Sequence, residues 1–440
     1  MRPSEAQAAA VEAPPDSQWS LLGQRRFAPL FWVQGLGAFN DQVFKTALLT
    51  LLTYRLAERH GLDVATYNIL GAALFILPFA LLSPTAGQLA DGVDKAKMMK
   101  VMKGVEVGLM VLAAIAYQVQ ALWMLFVLLF LMGSQSAVFA PIKYGILPQY
   151  LRERELVGAN GLVQGATFLA ILLGQIAGAR LILTEGGTVV VGAVVIGVAV
   201  VGFLVSLLAP PAPPLGPPPK VDWVLPRALW TTLRDGARVP AAFEAVLMIA
   251  WFWFTGATFL TLLPAFAKEV LAGNEDVFIV LLATFSVGVA LGAVACAKVF
   301  GTEPRMGVAA WGAGGIAAFS LGLWLATGLY VDALPAEAGL RGAGAFLTDP
   351  ASWPLMACFA ALAACAGLYL TPLNALLQVK APPEARGRFV ACSNAADAVA
   401  MVGSAGLTAV MVGAGLGEAT IFALVGATGI PAALWAIRRR

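Results

Sequence analysis

The sequence predicts an all-α membrane protein in which twelve transmembrane helices form two six-helix halves. Three observations predict this fold. The chain of 440 residues is 60% hydrophobic and only 12% charged, it contains twelve long apolar runs, and a proline-rich segment separates the sixth run from the seventh. Soluble domains carry about 25% charged residues, so the composition excludes a soluble fold. A formal net charge of +3 gives no basic surface of the kind that nucleic acids require.

Each apolar run is long enough to cross about 30 Å of hydrocarbon at about 1.5 Å per residue. The first half, residues 27–209, contains the runs 27–54, 67–90, 98–118, 121–143, 156–183 and 187–209. The second half, residues 241–437, contains the runs 241–268, 275–300, 305–330, 352–378, 387–413 and 417–437. Every run is predicted to be helical because irregular backbone in lipid would lack hydrogen-bond partners.

The segments outside the two halves have compositions of their own. Residues 1–26 are predicted to form a cytoplasmic tail, and their early part, rich in Ala, Pro and Glu, favours disorder. Residues 210–240 form a linker between the halves. Its proline run, 210–219, can adopt only extended backbone, and residues 221–238 mix tryptophan and leucine with arginine as an interfacial helix does. Residues 438–440 form a basic cytoplasmic end.

Lysine and arginine residues concentrate on one side of this predicted topology. They cluster near both termini, in the linker and in the loops that follow even-numbered runs, as in the group from Lys95 to Lys103. Five fall on the opposite side, at Arg55, Arg59, Arg180, Lys268 and Arg341. Because short loops rich in Lys and Arg stay in the cytoplasm, we expect both termini and the linker to be cytoplasmic.

The first run contains an acid and a base near its middle, Asp41 and Lys45. Four residues apart on a helix, they share one face with the acid first, which is the favourable order for a pair. A charge in the middle of a membrane is costly unless it faces the protein interior or a water-filled cavity. The two residues therefore indicate a functional site, and a purely structural ion pair that ties the first helix to its neighbours is the alternative.

The two halves also resemble each other in sequence. The fourth run ends in Phe-Ala-Pro-Ile-Lys around Pro141, and the tenth contains Leu-Thr-Pro-Leu-Asn around Pro372. A weaker echo relates residues 87–91 after the second run to residues 292–296 after the eighth. With an even number of helices in each half, such repeats are parallel and related by an axis along the membrane normal. A parallel six-plus-six arrangement resembles the major facilitator superfamily.

The loop after the second run matches part of a motif of that superfamily. A glycine, an acid and a basic cluster are found at Gly87, Asp91, Lys95 and Lys97. Gly92 and Asp94 depart from the motif, so we expect the contact of this loop to differ. An acid at a helix end can pair with a base or with the positive N-terminus of another helix, here the start of the eleventh helix near Arg386 and Arg388. We interpret Asp91 and Lys95 as gating residues; the alternative is that the basic cluster only anchors the loop.

Four motifs narrow the resemblance. They are residues 38–41 in the first run, 141–147 after the fourth, 159–162 at the start of the fifth and 372–378 in the tenth. Together they look like the lysophospholipid transporter family and the transporter half of its fusions to acyltransferases. The resemblance implies a transporter, not an enzyme, that moves lysophosphatidylethanolamine and lysophosphatidylglycerol across the bacterial inner membrane to the cytoplasmic leaflet for reacylation. Because the sequence ends at Arg440, the acyltransferase is expected to be a separate partner.

The resemblance implies that the family's acid in the first helix corresponds to Asp41 and that its lysine in the fourth helix corresponds to Lys143. A phosphodiester favours fixed cations and hydrogen-bond donors, which this sequence offers at Lys45, Lys143, Asn40, Asn160 and Gln164. An ammonium group favours an acid, for which Asp41 is the first candidate and Asp397 the second. For Asp397, pairing between helices is an equal alternative. Gln164 stands where some members of the family carry an acid, so the sequence does not predict headgroup preference.

No cofactor or metal is predicted. His60 and four separated cysteines offer no metal-ligand spacing, and a phosphate loop of the GxxxxGK[ST] kind is missing from the sequence. Energy coupling is left open. The main rival function is proton-coupled export of drugs or siderophores. A lipid enzyme would require a motif such as GxSxG, and a scaffold does not explain charges inside a helix. The aromatic residues 251–254 either line a path for an acyl tail or pack between helices.

Overall fold

The computed structural model describes residues 17–56, 64–334 and 339–438, which form a bundle of long helices. The N-half comprises α1 Ala28–Leu51, α2 Val64–Gly92, α3 Lys95–Gln118, α4 Leu122–Tyr150, α5 Glu153–Leu183 and α6 Gly187–Ser206. The C-half comprises α7 Pro240–Ala265, α8 Glu275–Phe300, α9 Met306–Asp332, α10 Trp353–Lys380, α11 Arg386–Gly413 and α12, which is divided into Glu418–Ala427 and Gly429–Arg438. The first part of the predicted tail, Arg59, His60 and the last two arginines lie outside the described residues.

The twelve predicted transmembrane helices are confirmed. Ten of the described helices are long and apolar enough to cross a membrane, with the two parts of α12 acting as one span. The other two, α1 and α3, have 24 residues each and carry most of the buried charges of the N-half. One boundary differs in an important way: α4 continues to Tyr150 and does not end at residue 143, so Lys143 lies well inside the helix and not at its end.

Small residues allow the helices of each half to approach closely. α1 packs along α5, and α10 packs along α8 and α9. At Gly174 in α5, an added Cβ would lie 2.9 Å from the Cβ of Gln42 in α1, closer than van der Waals contact allows. Glycine is therefore required for this helix crossing, as at other small-residue interfaces in membranes.

The two halves meet mainly through α2 with α11 and α5 with α8. The linker lies at the end of the bundle at which α2 meets α3 and α4 meets α5. We call this end the basic end. Most of the side-chain hydrogen bonds that join the halves in the described part of the chain lie at or near this end, among them the bond from Gln18 Nε2 to the carbonyl of Val294, at 2.8 Å, whereas the bond from Asn394 Nδ2 to Ser83, at 3.3 Å, lies nearer the middle of the bundle. The halves are therefore held together mainly at the basic end.

The linker follows the basic end in extended conformation before it forms the linker helix, Leu225–Gly236. Asp94 caps α3 by accepting from the amides of Ala96 and Lys97, and it also accepts from the Ala212 amide at 3.3 Å. Asp222 is joined to α2, where its amide donates to Gln88 Oε1 at 2.6 Å. Asp94, which departs from the superfamily motif, therefore connects the loop between α2 and α3 to the linker.

Candidate functional site

A cluster of polar side chains lies inside the N-half. Asp41 in α1 accepts a hydrogen bond of 2.7 Å from the hydroxyl of Ser136 in α4. Lys45 lies over the ring of Phe75 in α2, 5.2 Å from its centroid. The direct ion pair that the spacing predicts is therefore not formed: the two side chains share a helix face, but a hydroxyl and an aromatic ring on neighbouring helices contact them instead.

The cluster contains a buried ion pair that the sequence analysis missed. Lys103 and Glu106, both in α3, are joined at 2.6 Å, and each side chain is only 2% exposed. Glu106 also accepts from Asn40 Nδ2 at 3.2 Å and from Gln135 Nε2 at 3.4 Å. Asn40 precedes Asp41 in α1, and Gln135 precedes Ser136 in α4. Glu106 therefore holds together the two helix segments that form the contact between Asp41 and Ser136. The assignment of Lys103 to a basic loop was wrong.

Lys143 forms the other boundary of this cluster. Its Nζ donates to Gln34 Oε1 in α1 at 3.1 Å and lies 4.5 Å from the centroid of the Tyr144 ring. Gln34 in turn donates to the carbonyl of Val163 at 3.1 Å and to Thr167. Lys143 is thus held by α1 and α4, and Gln34 connects it to α5.

A small cavity of about 70 Å³ lies between the halves next to Lys143. Tyr144 and Gln164 line it from the N-half, and Asp397 in α11 lines it from the C-half. Gln164 Nε2 donates to the Tyr144 hydroxyl at 3.2 Å. Ligand sites for small molecules typically have volumes of about 300–1,000 Å³, so a whole lipid headgroup does not fit here in this conformation.

Asn160, a predicted donor to the headgroup, joins the two halves in this conformation. It is fully buried at the start of α5, and its amide exchanges two hydrogen bonds with Gln378 in α10, at 2.9 and 3.1 Å. Gln378 also lines the cavity. Asn160 therefore joins the halves just on the basic-end side of the cavity, and its amide is not free to bind a substrate in this conformation.

The predicted gate residue Asp91 connects α2 to the start of α11. Its carboxylate accepts from the amides of Gly387 at 2.7 Å and Arg388 at 3.1 Å, and from Arg388 Nε at 3.1 Å. A Cβ at Gly87 would lie 2.6 Å from that of Ala391, so the two helices are in close contact. We call this contact, formed by Asp91, Gly387 and Arg388, the latch.

The other two predicted gating residues lie near the latch without bonding to Asp91. Arg386 Nε donates to the carbonyl of Gln378 at 3.0 Å, which connects the start of α11 to the end of α10. Lys95 is buried beside Gly145 in α4, and its amide donates to the carbonyl of Ala212 at 2.9 Å. Both residues therefore stabilise the surroundings of the latch.

The aromatic residues of α7 mostly pack within the C-half. Phe252 is buried, and Trp251 contacts Tyr369 edge-on with ring centroids 5.0 Å apart. Trp251 Nε1 donates to Thr428 in α12 at 2.8 Å. Trp253 differs, because it lines the cavity between the halves. Helix packing is thus the main role of this run.

Comparison with known proteins identifies the fold family. Residues 31–344 match the family model described as Major Facilitator Superfamily. The chain belongs to the major facilitator superfamily. The human organic anion transporter MFSD10 (TETRAN) has a similar fold, with a TM-score of 0.70 and 14% sequence identity, covering 94% of this chain and 99% of that one.

Curated bacterial members of the superfamily are similar over most of this chain. Lysophospholipid transporter LplT of Klebsiella pneumoniae (strain 342) is 28% identical over 415 residues, which cover 92% of this chain and 94% of that protein. LplT of Escherichia fergusonii is 27% identical over 430 residues, with the same two coverages. These matches confirm the resemblance to lysophospholipid transporters, and the chain is a facilitator-type transporter of the membrane.

Basic groups of the N-half are held at fixed positions inside the bundle. Lys103 pairs with Glu106, and Lys143 donates to the neutral amide of Gln34. An acid of the C-half lies across a cavity from them. Lys103 and Glu106 were detectable in the sequence as an i, i+3 pair of opposite charges inside a long helix, whereas Ser136, Gln34 and Gln135 are isolated polar residues that no spacing singles out.

Proposed function

We propose that this facilitator moves lysophospholipids, including lysophosphatidylethanolamine and lysophosphatidylglycerol, across the bacterial inner membrane to the cytoplasmic leaflet. The observation that carries the proposal is the buried N-half cluster, in which Asp41, Lys45 and Lys143 lie in the interior of a chain similar to LplT proteins over 92% of its length. Uncompensated charges are costly inside a membrane and are retained where they bind a substrate or an ion.

Lys143 is the best-placed cation for the phosphate of the lipid. Its neighbour Tyr144 lines the cavity, and the hydrogen-bond partner that it has among the described residues, Gln34, is neutral. A phosphodiester that reached it would add a charge-assisted hydrogen bond. Asn40, which we had proposed as a donor to the headgroup, already donates to Glu106 and acts by holding the Asp41 segment in place.

We also propose that transport follows alternating access, with residues 27–209 and 241–437 as the moving units. The distribution of Lys and Arg supports a cytoplasmic basic end, with both termini and the linker 210–240 on that side. The latch and the Asn160–Gln378 bonds close this end. In this state the polar cluster is therefore separated from the cytoplasm, and lipid would enter from the opposite side. A separate acyltransferase on the cytoplasmic side would consume the product.

The proposal is tested by uptake of radiolabelled lysophosphatidylethanolamine into spheroplasts that express the wild type, Asp41→Asn or Lys143→Ala. We expect uptake by the wild type and a reduction of about tenfold or more in each variant, because Lys143→Ala loses a charge-assisted contact to the headgroup and Asp41→Asn removes a charge from the polar cluster next to it. Lys220→Ala, an exposed lysine in the linker, is the matched control. Membrane levels of every variant are measured by immunoblot.

The rival function makes the opposite prediction in the same cells. If the wild type takes up no lysophospholipid but lowers the accumulation of an unrelated cationic amphiphile when a proton gradient is present, the protein is an exporter and the lysophospholipid proposal fails.

A further inference from the structure

Asp397 is an acid without a compensating base in the middle of the C-half. It lies within α11, and its Oδ1 atom is enclosed and has no hydrogen-bond partner. None of the salt bridges among the described residues includes it. Because a buried carboxylate needs a cation or a proton to offset the loss of water, Asp397 has the properties of a site that is completed by a bound group.

The surroundings of Asp397 favour an ammonium group. The cavity that it lines is also bounded by the rings of Trp253 and Tyr144 and by Ser393 and Asn374. Aromatic rings attract cations through their negative faces, and the hydroxyl and amide oxygens can accept from N–H groups. The cavity volume of about 70 Å³ is sufficient for a compact group of a few atoms but not for a whole lipid headgroup.

The opposite charge is available on the other side of Tyr144. Lys143 Nζ lies over the ring of this tyrosine at 4.5 Å, whereas the tyrosine also lines the Asp397 cavity. Tyr144 thus contacts a cation of the N-half and lines the same cavity as an anion of the C-half. Phosphoethanolamine carries a phosphate and an ammonium group two carbons apart, so it matches this order of charges.

Asp41, the first candidate for an ammonium ligand, is less suitable. Its carboxylate accepts from Ser136, and Lys45 lies one turn further along the same helix. Each acid accepts a hydrogen bond from a serine, Ser136 for Asp41 and Ser393 for Asp397, but bases lie near Asp41 in the N-half, whereas none lies near Asp397 among the described residues.

On the basis of the proposed function, we propose that Asp397 binds the ammonium group of zwitterionic lysophospholipids, and that this contact makes the transporter favour ethanolamine over glycerol headgroups. Lysophosphatidylglycerol offers hydroxyl groups at this position, which gain less from a carboxylate than an ammonium group does.

The test is paired uptake of lysophosphatidylethanolamine and lysophosphatidylglycerol by spheroplasts that express the wild type, Asp397→Asn, Asp397→Glu or Asp332→Asn. Asp332 is an exposed acid at the end of α9 and serves as the control. We expect the ratio of ethanolamine to glycerol lipid uptake to fall about tenfold in Asp397→Asn and to be retained in Asp397→Glu and Asp332→Asn. A ratio in Asp397→Asn equal to that of the wild type overturns the ammonium site without affecting the proposed function.

A binding measurement decides the case in which uptake is too low to give a ratio. Purified wild type and Asp397→Asn are heated in detergent with phosphoethanolamine or with glycerol phosphate. We expect phosphoethanolamine to raise the unfolding temperature of the wild type more than that of the variant. Equal stabilisation of both proteins overturns the ammonium site. If the wild type takes up neither lipid, the proposed function fails, and this measurement alone decides the role of Asp397.

Discussion

The two halves of the bundle differ in how their buried charges are compensated. In the N-half, Lys103 and Glu106 pair directly, Asp41 has a hydroxyl donor and Lys143 has an amide acceptor. In the C-half, Asp397 is the charged residue in the middle of a described helix, and one of its oxygens has no partner. The N-half therefore presents a prearranged polar site, whereas the C-half presents a group whose charge is still to be compensated.

This difference suggests how a substrate can couple the halves. In the N-half network the charged groups Lys103 and Glu106 are paired, and the one unpaired atom of Asn40 is a neutral amide oxygen, so the network holds its geometry. Binding of a substrate to such a network therefore provides little free energy for a change in the position of its residues. A headgroup that also neutralises an acid on the facing half stabilises the arrangement in which the two halves approach each other. The asymmetry thus favours closure around a substrate that carries both charges.

The largest expected effect comes from breaking the buried pair of the N-half. Glu106→Ala leaves the Lys103 ammonium buried without its partner and removes the acceptor of Asn40 and Gln135. Removing one partner of a buried pair costs about 3–5 kcal/mol. We expect a large decrease in the unfolding temperature of the purified protein and in its membrane level.

The double variant Lys103→Met/Glu106→Leu is the control for this experiment. Because it removes both charges, it should recover much of the stability lost in Glu106→Ala. Equal stability of Glu106→Ala and the wild type would show that the pair does not hold the N-half network together.

An intermediate effect is expected from the latch between the halves. Asp91→Asn removes the charge from its hydrogen bonds to Gly387 and Arg388, a loss of about 1.4 kcal/mol, or tenfold in the ratio of open to closed basic ends. Cys392 is buried in α11 beneath Gly236 of the linker helix. In a protein that keeps only this cysteine, the rate of maleimide labelling should rise about tenfold.

Asp94→Asn is the matched control for the latch, since asparagine caps a helix as well as aspartate does. We expect its labelling rate to stay close to that of the wild type. Identical labelling of Asp91→Asn and the wild type would rule out the latch as a determinant of closure.

A smaller effect is expected from the amide pair that joins α5 to α10. Asn160→Ala, Gln378→Ala and the double variant form a cycle whose coupling free energy should be about 1 kcal/mol, the usual value for neutral hydrogen bonds. Thermal unfolding of the four proteins measures it. A coupling near zero would mean that the two bonds do not contribute to the contact between the halves.

The smallest effect concerns a partly buried ion pair in a loop of the C-half. Arg341 donates to Asp349 at 2.7 Å, and this hydrogen bond lowers the pKa of Asp349 below its ordinary value of 3.8. The stability that the pair contributes is therefore present above that pH and is lost as the pH falls through the lowered pKa. Between pH 5 and 8, Asp349→Asn should transport like the wild type within about twofold. If the wild type loses activity between pH 5 and 8 and Asp349→Asn does not, the lowered pKa of Asp349 is contradicted.

The helices and their grouping follow from the sequence because a membrane requires long apolar runs with internal hydrogen bonds. The sequence also singles out Asp41, Lys143, Asp91 and Asp397, since charge in an apolar run is rare. It does not show which partner each charge takes. The i, i+4 spacing predicted a pair between Asp41 and Lys45, but Ser136 of α4 and Phe75 of α2 contact them instead, and tertiary packing of this kind is not encoded in local spacing.

The boundary of a helix explains the other errors. Lys103 adjoins a basic loop in the sequence and was assigned to it, and Lys143 was placed at the very end of the fourth run. The structure extends α4 to Tyr150 and buries Lys103 in α3, because Glu106 and Gln34 satisfy the two ammonium groups inside the bundle. A lysine near a predicted helix end should therefore be assigned to the cytoplasm only when no acid or amide that could satisfy it inside the bundle is found nearby in the sequence.

The most direct test of the account uses the purified protein alone. Liposomes with and without it are given radiolabelled lysophosphatidylethanolamine in the outer leaflet, and albumin extracts the lipid that remains there. We predict that the protein moves lipid into a pool that albumin cannot reach, and that Lys143→Ala moves it about tenfold more slowly. A rate equal to that of protein-free liposomes would contradict the claim that this facilitator carries lysophospholipid between its halves.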